Sequence, residues 1–209
     1  TNLIYKVAKE LNLNINKNAA EYIFQGLLSD TLGLTSAGVT SETFRLAAEL
    51  EDLGADITEL EERRKEFMKK SQRILAYKAE LINRIDYSLD GQLSTIHIPW
   101  DEIQEYSDEY NPNVLILEEM KMVEGVKIAV AIKTYPDGKL TGKIRTSIPV
   151  ADKIAGFFGG GGHPYAAGFR IYDTNYQDTL RELVGCSIKL IEEYEKESID
   201  SETTFIGSF

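Results

Sequence analysis

The apolar residues in the first part of the chain recur every three or four positions, which is the spacing of amphipathic helices. Three short stripes are followed by a glycine at position 54, a residue that often ends a helix. The stripes contain Leu3, Ile4, Val7, Ala8 and Leu11; Ala19, Ala20, Ile23, Phe24, Leu27 and Leu28; and Phe44, Leu46, Ala47, Ala48 and Leu50. We therefore predict that residues 1–55 are helical.

Residues 56–83 have a more polar pattern, in which charges of both signs alternate and neither glycine nor proline occurs. Asp56 can cap the start of a helix because its carboxylate accepts from free backbone N–H groups. A polar helix of this length is typical of a connection between two parts of a molecule. The pattern predicts one linker helix over 56–83.

From residue 84 the apolar residues alternate with polar ones, as in half-buried strands. Asp90-Gly91 and Pro136-Asp137-Gly138 mark turns between such runs. Residues 150–158 return to helical spacing, 167–172 resemble a strand, and Asn175 can cap a last helix. Strands that alternate with helices predict the α/β class, with a mixed sheet in residues 84–195.

The chain has 209 residues and a net charge of −11, which argues against indiscriminate nucleic-acid binding. The charge is unevenly distributed, however. Residues 121–170 carry eight basic and three acidic residues, so this window is positive. A positive window on an acidic chain can select an anionic ligand, although any single lysine in it can equally be an ordinary solvated side chain.

The run Gly159-Gly160-Gly161-Gly162-His163-Pro164 lies inside the basic window. Successive backbone N–H groups in a glycine-rich turn can form an anion-binding nest. A histidine at its end can donate a hydrogen bond to a phosphate oxygen. The run predicts a phosphate site, and the alternative is a flexible loop before a strand.

Two further positions carry candidate chemistry. Arg145-Thr146 ends a strand-like run, and an arginine fork with a neighbouring hydroxyl suits a phosphate, although an exposed strand end is the alternative. Asp30 follows an apolar stripe and precedes Thr31 and Gly33, where its carboxylate can be a metal ligand or a plain helix-end residue.

The sequence Phe-Phe-Gly-Gly-Gly-Gly-His-Pro-Tyr-Ala-Ala-Gly at 157–168 resembles the signature of the substrate-binding domain of DHH-family phosphoesterases. Gly-Leu-Leu-Ser-Asp-Thr at 26–31 is similar to the end of their catalytic domain, and Lys-Ile-Arg-Thr at 143–146 is similar to their arginine-hydroxyl motif. The short C-terminal domain most resembles the nanoRNase and pAp phosphatase branch.

The resemblance implies a catalytic centre with two divalent metals, usually manganese, which generates a hydroxide that attacks a phosphoester. It implies that Asp30 is a metal ligand and that Arg145 and Thr146 hold the substrate. Gly160, Gly161 and Gly162 would offer backbone N–H groups, and His163 would donate to a phosphate. The expected substrates are short oligonucleotides or nucleoside bisphosphates, cut as by a 3′–5′ oligoribonuclease or pAp phosphatase.

The resemblance also assigns the parts of the chain. Residues 1–55 would be the helical C-terminal remnant of a DHH catalytic domain, followed by the linker helix at 56–83. Residues 84–195 would be the DHH-associated substrate-binding domain. The residues after them, 196–209, are acidic in sequence, and we expect them to form a frayed tail.

The chain departs from the family pattern in its first half. The Asp-His-His triplet and the earlier aspartate motifs are absent, and the two histidines, His97 and His163, both lie in the second half. Leu32 also stands where a glycine commonly follows Asp-Thr. One aspartate cannot hold two metals, so we expect the chain alone to bind substrate without hydrolysing it. A non-catalytic module that binds nucleic acid or nucleotides is the main alternative. An alanyl-tRNA-synthetase-like appendage is less favoured, because the zinc ligands are missing.

The remaining expectations concern the setting of the protein. No apolar run is long enough to cross a membrane, and the single Cys186 fits a reducing compartment, so we expect a cytoplasmic protein. The chain starts at Thr1 with a helix-like pattern, so we expect that its natural N-terminus is missing. Apolar faces left exposed in the first half would favour a homo-oligomer.

Overall fold

The computed structural model describes residues 2–36 and 38–206, with side chains to residue 197, and divides into two compact units, Thr1–Lys69 and Lys70–Phe209. The first unit is helical, as predicted. It contains α1 (Asn2–Glu10), α2 (Lys17–Asp30), α3 (Ser41–Asp52) and α4 (Ile57–Phe67). The second and third apolar stripes pack together in a small core that includes Phe24, Leu46 and Leu50, whereas the first stripe is largely exposed and α1 contributes Tyr5 instead.

The single helix predicted over 56–83 is instead two helices, and the unit boundary falls between them. After α4 ends, α5 (Gln72–Asn83) starts anew, and Ser71 caps it by accepting from the Ile74 backbone N–H at 3.1 Å. The sequence pattern missed this break because a serine cap needs neither glycine nor proline. α4 belongs to the first unit and α5 to the second.

The second unit is the predicted α/β domain with a mixed sheet. After α5 come the strands and helices β1 (Asp86–Ser88), β2 (Leu93–Ile98), α6 (Trp100–Tyr106), α7 (Pro112–Lys121), β3 (Ile128–Thr134), β4 (Leu140–Thr146), α8 (Ala151–Phe157), β5 (Gly161–His163), β6 (Ala166–Ile171) and α9 (Tyr176–Ile206). The strand order is β1-β2-β3-β4-β6-β5; β2 and β3 are parallel, and the other neighbours are antiparallel.

Each face of the sheet is covered by its own core. α8 and α9 pack against one face of the sheet. The core on this side includes Ile144 of β4 together with Ile154, Phe158 and Leu183. α5, α6 and α7 pack against the other, through Ile74, Ile103, Ile116 and Met120. The apolar residues of β3 alternate between the two cores, so the strand is buried on both sides.

The last helix is longer than predicted. The expected acidic tail from residue 196 continues α9 as far as Ile206, and residues 207–209 lie outside the described part of the chain. Residues 186–206 contain neither glycine nor proline, so nothing in the sequence ends the helix at 195. Within residues 2–36 and 38–206, every helix is too short or too polar to span a bilayer.

Candidate functional site

The glycine run is divided between a helix end and an edge strand. Gly159 has a φ of +72°, the left-handed conformation of a helix C-cap. Its N–H donates to the Gly156 carbonyl at 2.9 Å, and the Gly160 N–H donates to the Ala155 carbonyl at 2.8 Å. This pair of bonds is a Schellman motif that closes α8. The Gly160 N–H, which we expected to bind substrate, is therefore occupied by the helix end, which corrects that expectation.

The next glycines form β5, at the edge of the sheet beside β6. A Cβ at Gly162 would lie 2.6 Å from the Ala167 Cα, so only glycine allows the two strands to approach so closely. A Cβ at Gly161 would meet nothing within 4 Å, because that position faces open space. Gly161 therefore leaves room for a ligand, whereas Gly162 serves the packing of the strands.

The strand register shows which side chains share a face of the sheet, since residues directly opposite in an antiparallel pair point to the same side. Arg145 of β4 pairs with Ala166 of β6, which in turn pairs with His163 of β5. Arg145 and His163 thus stand in one row across the sheet, with only an alanine between them. The register places the two residues on one face, and their shared role in one binding site stays a prediction.

Arg145 is held in place at one end of this row. Its guanidinium Nε donates to Glu118 Oε1 of α7 at 3.3 Å, and Nη1 donates to the Ile144 carbonyl at 3.0 Å. The side chain remains about one-third exposed, so part of its donor fork stays accessible to an anion. His163 is exposed, and its imidazole makes no hydrogen bond within the described residues.

Thr146 has a different role from the one expected. It is 2% exposed and lies on the opposite face of the sheet from Arg145. Its hydroxyl donates to the Pro164 carbonyl at 3.2 Å, and its N–H donates to the Tyr165 carbonyl at 3.1 Å. The Ala151 N–H donates to the same Pro164 carbonyl at 2.8 Å. Thr146 therefore positions the segment after His163, and its hydroxyl is directed away from the ligand face.

A groove runs along the ligand face between the sheet and α7. One part of it is a cavity of about 410 Å³, whose lining includes Asn113, Arg145, Gly161, Ala166 and Gly168. Its floor consists of glycine and alanine, which keep the backbone accessible, and the charged side chains of Glu118, Lys143 and Arg145 line it as well. A shallow trough with small residues below and donors beside it suits a phosphate or sugar.

The sequence did not reveal which basic residues of the 121–170 window lie together on one face of the sheet. Lys121, Lys127, Lys139 and Arg145 each have an acidic partner. Lys133, Lys143, Lys153 and Arg170 have none within the part of the chain that the structure describes. Of these four, Lys153 lies elsewhere on the domain, whereas Lys133, Lys143 and Arg170 line the groove. Alternation along the strands could have placed them on one face, but only the register brings the three strands together.

His97, interpreted as structural, has that role. Its Nε2 lies 2.9 Å from the Thr134 hydroxyl, and its ring stacks on Tyr176 with centroids 4.2 Å apart. Burial lowers the pKa of His97, so the neutral ring is favoured. It takes no part in the groove.

Asp30 is the exposed last residue of α2, in the first unit. The chain turns sharply after it: Leu32 adopts a φ of +51° where the family commonly has glycine, and the Thr31 hydroxyl donates to the Leu27 carbonyl at 2.6 Å. Among residues 2–36 and 38–206, no group of three or more His, Cys, Asp or Glu residues is placed to hold a metal ion. The donors described here therefore do not complete a metal cluster, and the role of Asp30 as a metal ligand stays a prediction.

Comparison with known proteins places this geometry in a family. Residues 103–190, which include α7, Arg145 and the glycine run, match the DHHA1 domain. A bifunctional oligoribonuclease and PAP phosphatase, NrnA, from Bacillus subtilis is 23% identical over 85% of this chain and 55% of its own length. The protein of the same name from Thermus thermophilus is 30% identical over 70% of this chain and 43% of its own.

The fold agrees with a solved structure. An exopolyphosphatase-related protein from Bacteroides fragilis superposes with a TM-score of 0.73 at 20% identity, over 93% of this chain and 56% of the other. The second unit thus carries a DHH-associated domain. The chain as a whole is similar to DHH-family phosphoesterases, a family whose members generally use divalent metals. It spans about half the length of the curated relatives it matches.

Proposed function

We propose that this chain is the substrate-binding portion of a metal-dependent phosphoesterase that acts on short oligonucleotides or nucleoside bisphosphates, in the manner of a 3′–5′ oligoribonuclease and pAp phosphatase. The observation that carries the proposal is the row of Arg145 and His163 across a glycine-alanine floor, within the DHHA1 match. The two relatives named above are oligoribonucleases and PAP phosphatases, which supports this substrate class.

In this proposal Arg145 and His163 each donate to a phosphate. Gly161 offers open backbone to the ligand, and Gly162, which also lines the cavity, allows β5 to pack closely on β6. Thr146 acts indirectly, since it positions the Pro164–Tyr165 backbone. Glu118 holds the arginine fork at the wall of the groove.

Hydrolysis needs an activated water, which a pair of divalent metals, manganese in our proposal, supplies when bound. Asp30 would give one ligand, and the described residues hold no cluster that completes the set. The proposal therefore assigns binding to this chain and no complete catalytic centre. That lack of a donor cluster is also what favours the second candidate, a nucleotide-binding module that does not hydrolyse.

The test is a calorimetric titration of the 209-residue chain with adenosine 3′,5′-bisphosphate, repeated for Arg145→Ala and His163→Ala. Losing a charge-assisted bond should weaken binding roughly tenfold or more for Arg145→Ala. Arg181→Ala is the matched control, because Arg181 lies on α9 and pairs with Asp178. Equal affinity for all four proteins, or no binding at all, would sink the assignment of the groove.

Manganese-dependent hydrolysis separates the two candidates. If the chain binds the bisphosphate and added manganese gives no product, the non-hydrolysing portion is supported. Turnover that disappears in Asp30→Asn would instead contradict the view that this chain lacks a complete catalytic centre.

A further inference from the structure

The groove continues past Arg145 into a second, more polar cavity of about 510 Å³. The two cavities share Asn111, Asn113, Lys143 and Gly168 in their linings, so they form one continuous surface. The second cavity adds Lys133 and Arg170. It contains basic and amide side chains and no carboxylate.

The register arranges the basic side chains as successive rows on the same face. Lys143 pairs with Gly168, two residues along β4 from Arg145. Thr141, two residues further on, pairs with Lys133 of β3 and Arg170 of β6. Each step of two residues advances about 6.8 Å along a strand. The cations therefore form a ladder with a spacing similar to that of successive phosphates in an extended nucleic-acid strand.

Lys133 is an unusual member of this ladder because it is 6% exposed. Buried lysines are normally paired with a carboxylate, since a charge without a partner costs free energy in a poorly solvated place. The only partner that Lys133 has within the described residues is neutral: its Nζ donates to Asn111 Oδ1 at 3.0 Å. The same oxygen also accepts from the Asn113 N–H at 3.1 Å. No anion among the described residues therefore compensates the positive charge of Lys133.

Asn113 provides a second, independent observation. Its side chain is 6% exposed, lines both cavities, and its Oδ1 is buried without a hydrogen-bond partner in the described part of the chain. Buried amide groups are nearly always satisfied. Hydroxyl or amino groups of a ligand in the groove would satisfy this amide, in either orientation of its oxygen and nitrogen.

We propose that Lys133, Lys143 and Arg170 form a second anion-binding subsite, which receives the phosphates that follow the one bound at Arg145 and His163. The ligand class is a short single-stranded oligonucleotide, with Lys143 contacting the second phosphate and Lys133 with Arg170 contacting the third. Asn113 contacts the sugar or base between them. The inference rests on the proposed function, since it takes the phosphate at Arg145 as its starting point.

The experiment measures the affinity of the 209-residue chain for three probes: adenosine monophosphate, adenosine 3′,5′-bisphosphate and a 5′-phosphorylated triadenylate. Lys133→Met and Arg170→Gln should each weaken the trinucleotide roughly tenfold and leave the other two probes unchanged. Lys143→Met should weaken both the bisphosphate and the trinucleotide. The slope of log affinity against log salt for the trinucleotide should fall by about 0.7 for each contact removed.

Matched controls are Lys189→Met and Arg181→Gln, both exposed on α9 outside the groove. Thermal unfolding of each variant separates lost binding from lost folding, and Lys133→Met should melt no lower than the parent, because it removes a buried charge.

The inference is overturned if Lys133→Met and Arg170→Gln bind the trinucleotide like the parent, or if they weaken all three probes equally. In either case Arg145→Ala would still weaken every probe, and the proposed function would stand. If the parent chain binds none of the probes, the proposed function itself fails and the subsite falls with it.

Discussion

Lys133 is the residue whose physical situation departs most from the ordinary. Burial lowers its pKa from the usual 10.5, because desolvation penalises the ammonium and no carboxylate offsets the penalty. A protein keeps such a group at a cost in stability, and a binding role is a common reason. Lys133 thus connects the energetics of the fold with the groove.

The lowered pKa predicts a pH-dependent gain in stability for Lys133→Met. Below the folded-state pKa both states of the parent carry the ammonium, so the variant should be more stable by about 1 kcal/mol, since it buries no charge. Between the folded-state pKa and 10.5 the unfolded parent binds more protons than the folded one, so the stability of the parent rises with pH. The advantage of the variant should shrink over that range.

Urea unfolding of both proteins at neutral pH and near pH 10.5 measures this difference. Lys189→Met, at an exposed position, should show no such trend. A gap that widens with pH would contradict the burial of a charged, uncompensated Lys133.

At the scale of elements, β5 shows how neighbouring glycines can serve different purposes. Gly162→Ala should lower the free energy of unfolding by about 1–3 kcal/mol, because its methyl group would press on the β6 backbone 2.6–2.7 Å away. In Gly161→Ala the added Cβ would lie in open space, so this substitution should change the free energy of unfolding by less than about 1 kcal/mol.

For nucleotide binding we expect the opposite order, in which Gly161→Ala has a larger effect than Gly162→Ala. The Gly161→Ala methyl group projects into the groove and should weaken nucleotide binding, as a titration of each folded variant with adenosine 3′,5′-bisphosphate would detect. Equal stability losses for the two substitutions would contradict the described packing of β5 on β6.

Much of the element pattern could be predicted from the sequence, because alternation and turn chemistry are local. The β3–β4 hairpin around Pro136-Asp137-Gly138 and the capped helices of the first unit were predicted in this way and are confirmed. The break at Ser71 and the strand in the glycine run were not predicted. The break depends on a single serine cap, and glycine has a low strand propensity, so the run did not indicate that residues 161–163 pair with β6 across the Pro164-Tyr165 turn.

The candidate site likewise contains residues that could be predicted from the sequence and residues that could not. Arg145 and His163 could be selected by residue type and motif, but the ladder of Lys133, Lys143 and Arg170 depends on the pairing of three strands. The occupied Gly160 N–H and the inward-facing Thr146 also follow from tertiary contacts, which a motif does not contain.

At the scale of the whole molecule, exposed apolar residues on α1 bear on self-association. Leu3, Ile4 and Val7 of this helix, and Leu11 directly after its end, are 46–73% exposed. The expectation of a homo-oligomer stays a prediction, and size-exclusion chromatography over a range of protein concentrations tests it. A monomer at every concentration would contradict it.

The central claim is that the groove on the sheet face beside α7 binds nucleotide phosphates. Nuclear magnetic resonance of the ¹⁵N-labelled chain, titrated with adenosine 3′,5′-bisphosphate, tests it most directly because each amide reports separately. We predict saturable shifts concentrated at 111–118, 143–145 and 161–168, which Arg145→Ala should strongly reduce. Shifts confined to other parts of the chain, or none at saturating ligand, would contradict the account.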